Sequence, residues 1–159
     1  MTQEIKLDRY DLALLRALQR NARASLQELS AEVGLSSSPC WARVKRMEEG
    51  GLIQGYHARL DRTKAGFPIT AFVSIRYPVT SRFGEEPAIA ALVNDPQVLE
   101  CHHVAGEDCY VLKVAATSIE GLEAVLRRIK EPGTPVSTRT TIVLSSVFEK
   151  PGIAPVEDD

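Results

Sequence analysis

Apolar residues in this chain recur at two periods, and the change from one to the other falls near residue 66. Up to that point Leu12, Leu15 and Leu18, and then Leu26, Leu29 and Val33, repeat every three or four residues, the spacing of one helical face. Beyond it, ITAFVSIRY (69–77) alternates in the manner of a half-buried strand. A chain with both rhythms in separate stretches is expected to form two modules. The run DRTKAGFP (61–68) between them has the punctuation of a linker.

Within the first module, helix-end signals define three segments. Asp8, with Asp11 three residues on, resembles a capping box and predicts a helix over 8–21. Ser25 and Glu28 form a second such box, and Gly34 is the C-cap because glycine adopts the left-handed conformation without a Cβ penalty. Ser36 or Ser37 then caps a third helix running to about Glu49, followed by Gly50-Gly51. Residues 53–60 alternate well enough for a short strand or hairpin.

Two helices joined at Gly34-Leu35-Ser36 make a helix-turn-helix, whose second helix places its first residues nearest the bases of a duplex. Free N–H groups in a first helical turn, with the positive end of the helix dipole, favour a phosphate there. Pro39 is tolerated because a first-turn residue needs no amide partner within the helix. Cys40, Val44 and Met47 share one face and should pack on the first two helices, with Trp41 bordering that face as a packing residue. The opposite side carries Ser38, Ala42, Lys45 and Glu49, and Pro39, Arg43 and Arg46 form a flank. The DNA-contact candidates are therefore Ser36, Ser37, Ser38, Pro39, Arg43, Lys45 and Arg46, the hydroxyls as adaptable donors and the cations for phosphate or guanine.

Charge supports this division. Net charge is −2 overall, yet residues 1–66 hold 11 Lys+Arg against 8 Asp+Glu, and residues 67–159 hold 8 against 13. A basic front and an acidic back imply different partners, the first a polyanion. The competing class is an oligomeric small-molecule-binding module whose front helices serve only assembly.

In the second module the order is strand 69–77, helix 85–93, strand 98–104, strand 109–115, helix 118–130 and strand 136–148. That βαββαβ order is the ferredoxin-like α+β sandwich. Thr117 and Glu120 would box the second of these helices, with Ile119, Leu122, Leu126 and Ile129 as its apolar stripe. The domain reading is 1–66 for the helix-turn-helix with its linker, 67–150 for the ferredoxin-like domain and 151–159 for a frayed tail.

Other chemistry is thinly represented. No GxGxxG, Walker loop, HExxH or GxSxG is present, which points away from an enzyme. Cys101, His102, His103 and Cys109 could supply zinc ligands, or Cys101 and Cys109 a redox pair, if a hairpin about Gly106 sets Cys109 opposite Cys101. Without the spacing of an established zinc module, packing is the preferred account and no metal is assigned. Three cysteines without a CxxC argue against a disulfide framework. Apolar runs fall far short of the roughly 18 residues of a membrane span, and the N-terminus lacks a signal-peptide pattern, so cytoplasm is the expected location.

Leu7-Asp8 with Asp11 and Leu15, followed by LQRNARASLQELSAEVGLSSSPCWARVKRMEEGGLIQGYHARLD, resembles the N-terminal winged helix-turn-helix domain of the Lrp/AsnC (leucine-responsive, feast/famine) transcriptional regulators. The NAR, VGLS, SPC, RVKR and GxIxGY elements occur in that family's order and spacing, and the resemblance covers about residues 5–149. It implies sequence-specific binding to double-stranded DNA and a back domain that dimerises, with dimers assembling into tetramers, octamers or larger. It also implies an amino-acid effector and no other cofactor. The effector would bind near the loop at 104–110, with Val104, Gly106, Glu107, Asp108 and Cys109 as candidates. Apart from the resemblance, alternation on the last strand puts Thr138 and Thr140 on one face and Arg139 and Thr141 on the other, one pair for an interface and the other for water, and Thr138 and Thr140 join the effector candidates. The family's leucine and asparagine responders read Gly-Asp-aromatic-Asp-Tyr in that loop. Here Asp108 stands at the aromatic place and Cys109 at the second acidic place, a shift of one residue that redirects the acid to another face. Gly106-Glu107-Asp108 is equally well read as a plain β-turn with solvated acids.

Overall fold

A computed structural model describes residues 5–77, 89, 92–130, 136–150, 152–154 and 156. They divide into two compact units, one built from the chain up to Arg59 with the segment from Phe148 on, the other from Leu60–Val147. Among the described residues no helix is long and apolar enough to cross a membrane.

The first unit is three helices, α1 (Arg9–Arg20), α2 (Leu26–Val33) and α3 (Ser37–Glu49). Both expected capping boxes form. The Asp8 carboxylate accepts the Tyr10 and Asp11 N–H groups at 2.9 and 3.0 Å, and Asp11 accepts the Asp8 N–H at 3.0 Å. Ser25 Oγ accepts the Glu28 N–H at 3.2 Å, and Glu28 accepts the Ser25 N–H at 2.6 Å. Gly34 takes φ 71° and ψ 32°, turning the chain from α2 into α3. Ser36 occupies the N-cap of α3, but its side chain makes no cap hydrogen bond, contrary to expectation. Leu14, Leu15, Leu18, Leu29, Cys40 and Met47 close the core between the three helices. The strand expected at 53–60 does not form: among the described residues this stretch bonds to no neighbouring strand, and alternation alone makes no ladder.

The second unit holds strands β1 (Ile69–Arg76), β2 (Val98–His103), β3 (Tyr110–Ala116) and β4 (Ser137–Ile142), with helix α4 (Ile119–Ile129). The strand order is β2-β3-β1-β4, and every pairing is antiparallel. Of the helix expected at 85–93, Ile89 and Leu92 are helical and Val93 is a turn residue; the remainder lies outside the described residues. Ala71, Val73 and Ile75 of β1 and Leu112 and Val114 of β3 point to one face, which α4 covers with Leu122, Val125 and Ile129. Burying each of these larger aliphatic side chains contributes about 1.5–3 kcal/mol. Two expectations shift here. Ser118, not Thr117, caps α4 by accepting the Gly121 N–H at 3.0 Å, and Ile119 is 58% exposed while Val125 joins the stripe. The last strand is also shorter than 136–148, ending at Ile142.

Candidate DNA-binding helix and effector loop

The inner face of α3 is anchored by Cys40 and Met47, both fully buried, as the helical spacing required. Its outer face presents Ser37, Ser38, Ala42, Lys45 and Glu49 to solvent, with Pro39 exposed beside them. Trp41 departs from the packing role expected of it. It is 55% exposed, and the Lys45 Nζ lies 4.8 Å above its ring, within cation–π range. Lys45 also pairs with Glu49 at 3.5 Å across one helical turn.

Arg43 and Arg46 have a different environment. Asp11, on the first turn of α1, is 1% exposed, and one of its oxygens accepts from Arg43 at 2.9 Å while the other accepts from Arg46 at 2.7 Å. Asp8 adds a second carboxylate to Arg43 at 2.8 Å, and the guanidinium lies 5.5 Å from the Tyr10 ring centroid. Burying a carboxylate this deeply is costly unless paired charge and hydrogen bonds surround it. The Asp11 hydrogen bond, against the cost of burial and helped by Asp8, holds the Arg43 guanidinium above its ordinary value. Partial burial pushes the Asp8 carboxyl up, but the Asp11 N–H, Arg43 and the Tyr10 N–H outweigh it and leave Asp8 below the usual aspartate range. Sequence reasoning took Asp8 and Asp11 for caps, which they are, and missed that the same carboxylates hold two arginines more than thirty residues further along the chain.

The loop between β2 and β3 is a tight reversal. The Val104 N–H donates to the Cys109 carbonyl at 3.0 Å, and Gly106 takes φ 146°, which favours glycine. Cys109 is buried, its N–H donating to the Ile75 carbonyl at 2.8 Å and its Sγ accepting from the Tyr77 N–H at 3.5 Å. Glu107 reaches Arg76 at 3.0 Å. Asp108, with a side chain only 15% exposed, bonds Arg139 at 2.7 Å and lies 3.6 Å from Arg76. Asp108 and Cys109 thus have opposite fates, one in an ion-pair cluster and the other in the core.

Register separates some of the expected partners. Thr138 and Thr140 sit opposite Ile75 and Val73, whose side chains face the α4 side, whereas Arg139 sits opposite Ser74 on the other face. The loop carboxylates join Arg76 and Arg139, so the two threonines are not gathered with them. Arg76 was not singled out from the sequence, whereas Arg139 lies on the face of β4 opposite Thr138 and Thr140, as alternation along that strand required. Cys101 pairs with Leu112, while Cys109 lies across from Val104, so the hairpin does not set the two cysteines opposite one another. Cys101 and His103 instead line an apolar groove of about 470 Å³ with Leu92, Val98 and Tyr110, and the His103 ring lies 5.1 Å from that of Tyr110.

The family described as winged helix-turn-helix DNA-binding matches residues 7–54, and the Lrp/AsnC ligand binding domain matches residues 70–153. The chain belongs to the Lrp/AsnC family of transcriptional regulators. It is 39% identical over 142 residues to the HTH-type transcriptional regulator LrpA of Mycobacterium tuberculosis, covering 89% of this chain and 93% of that protein. The proline dehydrogenase transcriptional activator of Rhizobium radiobacter is 36% identical over 144 residues, covering 90% and 92%. Among solved structures, a feast or famine regulatory protein from M. tuberculosis complexed with L-methionine superposes with a TM-score of 0.85 at 38% identity, over 94% of this chain and 99% of that one. As an Lrp/AsnC protein the chain is a DNA-binding transcriptional regulator with a ligand binding domain.

Proposed function

We propose that α3 enters the major groove with its first turn leading, and that an amino acid acting on the second unit controls that binding. The observation that carries the reading is the two-sidedness of α3: Cys40 and Met47 are sealed in the core while Ser37, Ser38, Ala42 and Lys45 line the outer face. Short side chains at the helix start allow close approach to base edges, and Lys45 supplies a phosphate or guanine contact. Ser36, whose hydroxyl is not used as a cap, and Pro39 complete that surface.

At the loop, Glu107 and Asp108 with Arg76 and Arg139 carry both signs of charge within one cluster. An amino acid carries both signs too, so its ammonium and carboxylate can exchange for members of this cluster. The methionine complex of the tuberculosis relative supports an amino acid as the effector class. Function as a cytoplasmic homodimer that assembles further, with the division at about residue 66, completes the proposal; symmetric copies would place two helix-turn-helix units on successive groove faces.

The test is fluorescence anisotropy of a duplex from upstream of the chain's own gene, with sedimentation in the presence and absence of each amino acid. Salt-sensitive binding to the duplex and an assembly change with one class of amino acid are expected. Retained DNA binding with no response to any amino acid would refute the effector half alone.

A further inference from the structure

We propose that Asp11 is a positioning residue for DNA recognition, withdrawing Arg43 and Arg46 from the phosphate backbone and leaving Lys45 as the working cation of α3. This rests on the reading of α3 as the groove-entering helix. Four groups make a neutral cluster: the carboxylates of Asp8 and Asp11 against the guanidinium groups of Arg43 and Arg46. Both acids come from the start of α1, Asp8 as its N-cap and Asp11 in its first turn, and the two cations sit one turn apart on α3. The cluster therefore fixes the rotation of α3 about its own axis while cancelling two of its charges.

Burial decides the direction of the effect. Asp11 is 1% exposed and bonded through both oxygens, with the Asp8 N–H as a third donor at 3.0 Å. Pulling either arginine outward would cost that buried acid one of its two guanidinium partners, so the pairs hold against an exposed phosphate that also has water and counterions to share. Lys45 is paired only with the exposed Glu49 at 3.5 Å, a contact it can exchange for phosphate at little cost, whereas a helix with all three cations free to do so would favour any duplex. With two of them neutralised, non-specific affinity falls, and more of the remaining affinity depends on the base edges.

The experiment uses the full chain and two duplexes of equal length, the upstream sequence and a scrambled one, titrated by anisotropy from low to high salt. Each phosphate contact contributes about 0.9 to the slope of log affinity against log salt. Asp11→Asn, which keeps the shape but not the charge, frees Arg46 while Asp8 still holds Arg43 at 2.8 Å, and is expected to bind scrambled DNA several-fold more tightly at low salt, with the slope steeper by about 0.9. Arg46→Gln, at a half-exposed position, should leave the wild-type slope in place, and Lys45→Ala should lower it by about 0.9. Folding of each variant is checked by helical circular dichroism. A folded Asp11→Asn with an unchanged slope, or an Arg46→Gln slope lower by about 0.9, overturns the proposal. Should Asp11→Asn not fold, the Arg46 and Lys45 slopes decide the matter. Absence of binding by the wild type to either duplex would instead remove the DNA-binding reading itself.

Discussion

Gly34 offers a clean test of how the helix-turn-helix is made, because two possible costs of replacing it can be separated. A Cβ placed on Gly34 meets no atom within 4 Å, so Gly34→Ala introduces no clash. What remains is backbone strain. At φ 71° an L-residue pays about 1–2 kcal/mol, of which the stiffer unfolded alanine chain returns a fraction. The net expectation is a loss of about 1 kcal/mol, smaller for Gly34→Asn, which tolerates the left-handed region, and larger for β-branched Gly34→Val. Urea unfolding followed by tryptophan fluorescence reports on this unit alone, since the single tryptophan, Trp41, lies on α3. With a urea dependence of about 1–3 kcal/mol/M, the alanine midpoint should fall by about 0.3–1 M. A loss above about 3 kcal/mol would mean that the added methyl does collide with something, and no loss at all, or Asn worse than Ala, would mean that the turn does not need the left-handed conformation.

Met47→Ala, at a fully buried position between the helices, should cost about 2–5 kcal/mol by the same measurement, more than any Gly34 substitution short of Val. In the second unit, burial raises the Asp95 carboxyl, but its bond from Arg128 at 2.7 Å and from the Gln97 N–H at 2.9 Å prevail and leave it below the ordinary aspartate value. A folded value below the unfolded one means stability that is present above about pH 4 and lost as pH falls through the folded value, and Arg128→Gln should flatten that loss in unfolding curves taken between pH 2 and 6. Cys101 is exposed while Cys40 and Cys109 are buried, so a thiol reagent should modify one cysteine in the native protein and three after denaturation. Local burial pushes the Cys101 thiol up, so its reaction should be slow at pH 7 and quicken above pH 9; a fast reaction at neutral pH would contradict that environment.

The features legible in the sequence were those carried by neighbours a few residues apart. Asp8 with Asp11, Ser25 with Glu28, and Gly34 set helix ends through bonds spanning at most four residues, and those ends fell within one or two residues of expectation. The alternation of β1 likewise sorted Ala71, Val73 and Ile75 from Phe72 and Arg76. Where a partner from elsewhere was needed, local pattern failed. Residues 53–60 alternate but meet no strand among the described residues, and β4 ends with Ile142 opposite Ala71 and one more bond from the Val143 N–H to the Thr70 carbonyl, an end that its own sequence does not mark.

The candidate sites divide in the same way. That α3 has an inner face of Cys40 and Met47 and an outer face with Ser38 and Lys45 follows from helical geometry and needs no coordinates. That Arg43 and Arg46 turn to a buried acid 32 and 35 residues earlier, that Trp41 lies in solvent, and that Asp108 meets Arg76 and Arg139 while Cys109 enters the core, are decided by packing. Composition and spacing determine which faces exist. Which charge on a face remains available depends on the partner that folding brings to it, because a buried carboxylate must be paired and takes the nearest guanidinium groups irrespective of their distance along the chain.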